Sequence, residues 1–274
     1  MKKIILITGG TGGIGHAAAI AIAKQGNDII IQGRDAAKGK TIADELSKMN
    51  GSTARFIQAD ISTIDGIKSL VAEVKKLTNK IDILIHSTGT LNSERRESKD
   101  GLDEGFTVNY MCKFILDNLL MDELKQGGGK IIIVGAPLMK NAAINFDDLQ
   151  MKKNYSLMKG MGQNMLAVHM HAQEFIKRNG NSITINVVNP GVVKTGIDRN
   201  VKGAMKFFLG VFGPLISNSS EKAVVNIMEL VNTDSKDSGY FYAKVAKPAG
   251  KEKINLDSAV ASKMWDESLK IGKL

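Results

Sequence analysis

The chain has 274 residues, 43% hydrophobic and 24% charged, with 37 Lys and Arg against 28 Asp and Glu for a formal net charge of +9. A chain of this length buries about 75% of its unfolded surface and needs no staples, and the single cysteine, Cys112, excludes a disulfide framework and fits a reducing compartment. The opening MKKIILITGG has no signal-peptide pattern, and no stretch reaches the roughly 18 apolar residues of a membrane span, so a cytoplasmic domain is expected. Charge is spread without blocks of like sign and aromatics are only 5%. Nucleic acid is therefore not an expected partner, and the positive excess reads as a solubility feature.

Short apolar runs rich in Ile and Val alternate with helix-length amphipathic segments from residue 3 to about residue 190. Lys3–Thr8, Asp28–Gln32, Ala54–Gln58, Ile81–His86, Lys130–Val134 and Ser182–Val188 read as buried strands. Ile14–Gln25, Ala36–Met49, Ile64–Leu77 and Leu102–Leu124 read as helices between them. This alternation predicts an α/β fold with a doubly wound parallel sheet, helices on both faces, and a single domain over residues 1–274. The last 85 or so residues are less regular. Within them Met205–Ile216, MKFFLGVFGPLI, is the most apolar stretch outside the strands. It reads as a core or oligomer-contact segment, as a lid over a lipophilic ligand spanning about residues 200–218, or as a shallow membrane contact through Phe207–Leu215.

The sharpest motif is Thr8-Gly9-Gly10-Thr11-Gly12-Gly13-Ile14-Gly15, which follows the first strand and opens a helix. In that context glycines permit a tight turn and bring backbone N–H groups close to a pyrophosphate at the helix N-terminus. Dinucleotide binding is the expectation, with Gly9, Thr11, Gly13, Ile14 and Gly15 as its residues.

The spacing T-G-x-x-x-G-x-G resembles the short-chain dehydrogenase/reductase family, and the resemblance continues along the chain. Asp60 and Ile61 stand where the family contacts adenine. His86-Ser87-Thr88-Gly89 stands at the family's N-N-A-G, with the Gly retained. Asn109 looks like the family's helix Asn that holds a water in the proton relay. Asn189-Pro190-Gly191-Val192-Val193-Lys194-Thr195 resembles the P-G-x-x-x-T segment that cradles the nicotinamide, so Pro190, Gly191, Val193 and Thr195 join Ser87 and Gly89 as implied cofactor contacts. Met264-Trp265-Asp266-Glu267-Ser268 is similar to the C-terminal L-W-x-x-S of the retinol-dehydrogenase-like branch. The resemblance implies a Rossmann-type fold, an oxidoreductase ancestry and a homodimer or homotetramer.

Cofactor choice turns on charge. Users of NAD(H) place a carboxylate at the end of the second strand for the ribose 2′-hydroxyl. Here Gly33 and then Arg34 occupy that place, and a guanidinium suits a 2′-phosphate. Asp35 lies one step further on and is expected to cap the next helix. NADP(H) is the expected cofactor.

The family's proton relay is broken in this sequence. Hydride reduction of a carbonyl leaves an alkoxide that needs a proton. The family supplies it from a Tyr, with a Lys one helical turn later lowering the Tyr pKa and a Ser orienting the substrate. Tyr155-Ser156-Leu157-Met158-Lys159 satisfies Y-x-x-x-K literally. Met161-Gly162-Gln163-Asn164-Met165-Leu166-Ala167 instead resembles the branch's Y-G-Q-S-K-L-A, with Met at both reactive positions. The family keeps about thirty residues between the Tyr and the P-G segment. Met161 stands 29 residues before Pro190, whereas Tyr155 stands 35 before it. An offset of six residues turns a helical side chain by about 240° and moves it about 9 Å. The strand ending Val134-Gly135-Ala136 places Ala136 where the family has Ser. Neither a thioether nor a methyl carries a transferable proton. Of the relay, Asn109 is retained.

Two readings follow. In one, the chain binds NADP(H) and has lost or reduced its dehydrogenase chemistry, serving as a binding or regulatory protein. In the other, it is an active oxidoreductase on a lipophilic carbonyl or alcohol, taking its proton from Tyr155 with Lys159, from His86 at the edge of the expected cofactor cleft, or from water. Tyr155 is otherwise an exposed junction between loop and helix, His86 is otherwise a packed strand end, and Met158, Met161 and Met165 otherwise form a packing stripe. His169 and His171, two apart on a helix, face different ways, and no Cys/His cluster has zinc spacing, so no metal is expected.

Overall fold

Ile-rich strands in the middle of the sheet are buried on both faces, and that decides the architecture, whereas the run Ala54–Gln58, expected to be buried, forms a sheet edge where only Ile57 is buried. The computed structural model describes residues 2–139, 141–193, 196–203, 206 and 218–274. Six parallel strands, β1 (Ile4–Thr8), β2 (Asp28–Gly33), β3 (Ala54–Gln58), β4 (Ile83–His86), β5 (Lys130–Val134) and β6 (Thr184–Val188), are joined by β7 (Tyr240–Tyr242) and β8 (Lys251–Lys253). The sheet order is β3-β2-β1-β4-β5-β6-β7-β8. β7 pairs parallel with β6, and β8 closes that edge antiparallel. A three-residue edge reading Lys-Glu-Lys discourages pairing with another chain.

Alternation along each strand feeds two cores. Ile5 and Ile7 point to the layer of α1 (Gly13–Ala23), α2 (Ala36–Leu46) and α8 (Ser220–Asn232). Leu6 points to the layer of α3 (Ile64–Leu77), α5 (Cys112–Leu119), α7 (Leu157–Asn179) and α9 (Ser258–Gly272). All three side chains are fully buried, each contributing about 1.5–3 kcal/mol. Helix starts are marked by side-chain caps: Asp35 accepts from the Lys38 N–H at 3.0 Å, Thr63 from Gly66, Ser156 from Lys159 and Asp257 from Ala259. Asp35 is thus the helix cap that the sequence suggests.

The doubly wound parallel sheet agrees with the sequence expectation. The segment Leu102–Leu124 does not form the single expected helix. It comprises α4 (Glu104–Phe106), a π-turn at Thr107–Met111, α5, and after a break at Leu120 a short α6 (Met121–Gly127). No Gly or Pro marks either interruption. Thr195 and the stretch Phe207–Leu215 lie outside the described residues, as does most of the expected lid. Among the described residues no helix is long and apolar enough to cross a membrane.

The C-terminal helix docks through the motif read from the sequence. Trp265 of α9 stacks on His171 of α7, with centroids 5.6 Å apart, and meets Phe114 of α5 edge-on at 4.9 Å. Ser268 exchanges a 2.7 Å hydrogen bond with the buried hydroxyl of Tyr110.

His169, on the same helix, packs edge-on to Phe241 at 5.0 Å, and its Nε2 has no partner among the described residues. Burial pushes its pKa down from 6.5 to about 4. The unfolded chain therefore binds a proton near pH 6.5 that the folded chain refuses. The stability linked to neutral His169 is fully present above pH 6.5 and is lost as pH falls towards 4, by about 3 kcal/mol in all. Urea unfolding at pH 7 and pH 4.5 is expected to show a smaller acid loss in His169→Leu than in the parent chain. Equal losses would place the acid lability elsewhere.

Candidate active site

The switch point of the sheet, where the chain passes from β1 outward to β3 and then back to β4, opens a crevice at the strands' C-terminal ends. The glycine turn sits there. Gly9 has φ of +70°, a conformation that L side chains rarely adopt, and its N–H donates to Gln32 Oε1 at 3.0 Å. Gly15 lets α1 approach the turn: a Cβ there would stand 2.5 Å from the Gly9 carbonyl oxygen and 2.2 Å from Ser87 Oγ. Ser87 donates to the Thr8 carbonyl at 2.7 Å and so locks the β4 loop against the turn. Helix α1 starts from Gly12 with no side-chain cap among the described residues. Its first N–H groups, on Gly13, Ile14 and Gly15 beside Thr11, are left for an anion, which fits a pyrophosphate.

Cations flank this turn. Arg34 is exposed at the end of β2. Lys38 Nζ lies 3.9 Å from where a Cβ on Gly12 would stand. Arg199 reaches the same region: partial burial and the neighbouring Arg34 charge hold its guanidinium below the ordinary arginine range. Sequence reading singled out Arg34 alone, because no motif marks Lys38 or Arg199. Asp60 is exposed and accepts from the Ser62 N–H and hydroxyl, at 3.1 and 2.8 Å, while Ile61 is buried. At the end of β6 Pro190 is buried and Gly191 turns with φ of +74°, its N–H bonded to Asn189 Oδ1 at 2.9 Å; Val193 is half-buried.

The positions that the family resemblance assigns to the proton relay converge. The Asn109 side chain, carried on the π-turn, accepts from the Thr90 N–H at 2.8 Å and donates to the Thr90 carbonyl at 3.0 Å. Its Nδ2 also lies 3.3 Å from Met161 Sδ. Met165, one turn further along α7, packs against the end of β5, its Sδ 3.7 Å from where a Cβ on Gly135 would stand. Ala136 is half-buried against the same core. Met161 and Met165 are 8% and 5% exposed, but Met158 is 53% exposed, which corrects the expected three-Met packing stripe. The space between Asp103, Asn109, Tyr155 and Met161 is about 10 Å³, enough for one water at most.

Of the alternative proton donors, Tyr155 differs from the expected exposed junction, and His86 is a packed strand end. Tyr155 is half-buried rather than an exposed junction, and its hydroxyl donates to the Asn92 carbonyl at 2.7 Å. Burial, with the carboxylates of Asp103 and Glu104, pushes its pKa up to about 12. Lys159 is exposed and its ammonium makes no hydrogen bond or ion pair among the described residues. His86 does not border the crevice as a free donor. It is fully buried on the α5 side of the sheet, with Nε2 held by Asp117 Oδ1 at 2.7 Å. The alternation that sends Ile85 to one core sends His86 to the other.

Asn92, which sequence reading missed, ties the mouth of the crevice together. Its carbonyl takes the Tyr155 hydroxyl, and its Oδ1 accepts from Thr90 Oγ1 at 3.3 Å and Asn200 Nδ2 at 2.8 Å. The Leu91 N–H donates to the Ile197 carbonyl at 3.2 Å, so residues 197–200 lie alongside the β4 loop. A Cβ on Gly89 would stand 3.1 Å from Ile197 Cδ1 and 3.5 Å from Asn109 Oδ1.

Comparison with known proteins shows the family. The family described as short chain dehydrogenase matches residues 3–206. The chain belongs to that family. Polyprenol dehydrogenase of Homo sapiens is 28% identical over 97% of this chain and 84% of its own length. Retinol dehydrogenase 13 of Mus musculus is 29% identical over 98% of this chain and 83% of its own. These relatives place the short-chain dehydrogenase chain in the retinol-dehydrogenase-like branch. Among solved structures, an alcohol dehydrogenase from the archaeon Thermococcus sibiricus complexed with 5-hydroxy-NADP superimposes with a TM-score of 0.70 at 18% identity, covering 90% of this chain and 98% of that one. That likeness is one of fold.

Proposed function

We propose that this short-chain dehydrogenase relative binds NADP(H) and acts as a binding or regulatory protein in the cytoplasm, its hydride-transfer chemistry lost or strongly reduced. One observation carries the reading: Asn109 meets the thioether of Met161 at 3.3 Å, where the family places its proton donor. A bound nicotinamide would supply or accept a hydride; the proton would come from a side chain or from water, and Met161, Met165 and Ala136 have none to give. Tyr155 is a poor substitute, with its hydroxyl engaged by Asn92 and its pKa raised to about 12. The uncapped start of α1 fits the pyrophosphate, and Arg34 with Lys38 fits a 2′-phosphate. Relatives named for polyprenol and retinol support a lipophilic alcohol or carbonyl as the second ligand.

Fluorescence titration with NADPH and NADH, followed by absorbance assays on retinal, steroid ketones and small aldehydes, tests this. Saturable binding with preference for NADPH and no turnover is expected. Arg34→Ala and Lys38→Ala each remove a charged donor to the 2′-phosphate. Each is expected to weaken NADPH roughly tenfold while leaving NADH unchanged. Equal affinity for the two nucleotides would remove the 2′-phosphate argument. Turnover that disappears in Tyr155→Phe would establish the active-oxidoreductase reading instead.

A further inference from the structure

A second cavity, of about 220 Å³, lies between α7, β6 and the β7–β8 edge. One water needs ~10–15 Å³ by this measure, so the space holds a small organic molecule. It shares no lining residue with the glycine turn or with the Asn109–Met161 contact. Its deep wall is built from His169, Ala172 and Val187, all buried, and its flanks from Ile176, Ile254 and Leu256. His169 is neutral above about pH 4, so the deep wall carries no charge at neutral pH.

The mouth is different. Lys253 is exposed there, with Nζ 5.1 Å from the centre of the Tyr240 ring. Lys251 approaches the same ring at 4.8 Å but is paired with Asp237. Lys253 makes no ion pair among the described residues. A pocket with largely aliphatic walls, with Gln173, Ser238 and His169 as its polar members and an ammonium at its lip that makes no ion pair among the described residues, matches an amphipathic anion: alkyl surface inward, carboxylate outward.

We propose that this cavity is a second ligand site, separate from the cofactor crevice, for a small monocarboxylate with an apolar chain of medium length. The carboxylate sits at Lys253, and the chain runs past Ile254 and Ile176 towards the His169 ring. The placement does not depend on whether the relay at Met161 is active.

Octanoate is the probe, titrated calorimetrically into the full chain with and without NADPH, with 1-octanol as the uncharged control. One octanoate per chain is expected, with affinity unchanged by NADPH and with the imidazole resonances of His169 shifted by nuclear magnetic resonance while those of His16 stay put. Lys253→Ala, on an exposed side chain, should raise the octanoate Kd about tenfold, and octanol should bind the parent chain no better than octanoate binds that variant. Ile254→Trp, which fills the cavity from a half-buried position, should abolish binding. Absence of saturable octanoate binding overturns the proposal. So does binding that survives both Ile254→Trp and Lys253→Ala, because the ligand would then occupy another site.

Discussion

A chain carrying Met161→Tyr, Met165→Lys and Ala136→Ser together is expected to reduce a lipophilic aldehyde with NADPH at least roughly 10²–10⁴ times faster than the parent. The scaffold for the relay is in place. Asn109 is fixed by both polar groups of the Thr90 backbone and already reaches position 161. Positions 161 and 165 lie four apart on α7 and share a face, and position 165 adjoins the end of β5 that carries Ala136. Each substitution alone should do little. A lone Tyr at 161 keeps a pKa of about 10 or above, and a lone Lys at 165 buries an ammonium beside apolar groups. Groups that act as a unit gain or lose function together. Single, double and triple variants assayed with retinal and NADPH check this. A folded triple variant that binds NADPH and stays inactive would show that the pocket has diverged beyond the relay.

Truncating Asp117 should have the largest effect on stability. Its carboxylate lies between His86 and His171, accepting from each Nε2 at 2.7 Å, and all three side chains are fully buried. Burial would raise the Asp117 carboxyl, but the two imidazoles outweigh it and hold the group below the usual carboxylate range. Burial likewise pushes His86 below its ordinary value, against the pull of Asp117. The carboxylate is therefore ionised and takes an Nε2–H from each ring, because a carboxylate can only accept, and burial holds His86 towards its neutral form. The buried ammonium of Lys113, bonded to the Thr88 and Val108 carbonyls, lies close enough to depress His86 further and partly offsets the negative charge.

Asp117→Ala leaves two buried N–H groups and a buried cation without their counterpart. A loss of about 3–5 kcal/mol is expected, or a fall in Tm of the order of 10 °C for a chain of this size. The fluorescence of Trp265, the single tryptophan, should change as well, because its ring stacks on His171. Asp117→Asn should cost less, since one acceptor oxygen survives. Chemical denaturation measures both, and a loss below about 1 kcal/mol for the Ala variant would mean the rings find other partners. Both shifts act in the acid direction. The stability held by Asp117 is present above its unfolded pKa and lost as pH falls through its depressed folded value; that held by neutral His86 is lost as pH falls below 6.5.

The amino-acid sequence dictates the parallel sheet, because Ile-rich runs such as Ile29–Ile31 and Ile131–Ile133 have no stable place except between two helical layers. It determined the glycine turn for a similar local reason: Gly9 must hold a positive φ and Gly15 must lie against Gly9, requirements that contiguous residues express. That positions 161, 165 and 136 hold no Tyr, Lys or Ser is plain in the sequence, whereas their assignment as the relay positions rests on the family resemblance and on the spacing to Pro190. The short strands β7 and β8 were not legible, because three residues carry no periodicity and gain their pairing only from a neighbour already in place. Nor was the π-turn under Asn109, which no Gly or Pro marks and which the Thr90 backbone holds from outside the helix.

The partner of His86 is set by the tertiary structure. Strand alternation turns its ring to the same layer as Leu84, and Asp117, 31 residues away, accepts the ring N–H inside that core. The same holds for Tyr155, whose hydroxyl is claimed by a carbonyl 63 residues distant. Charge balance and hydrogen-bond satisfaction are met between distant segments, so they enter only when the chain has folded.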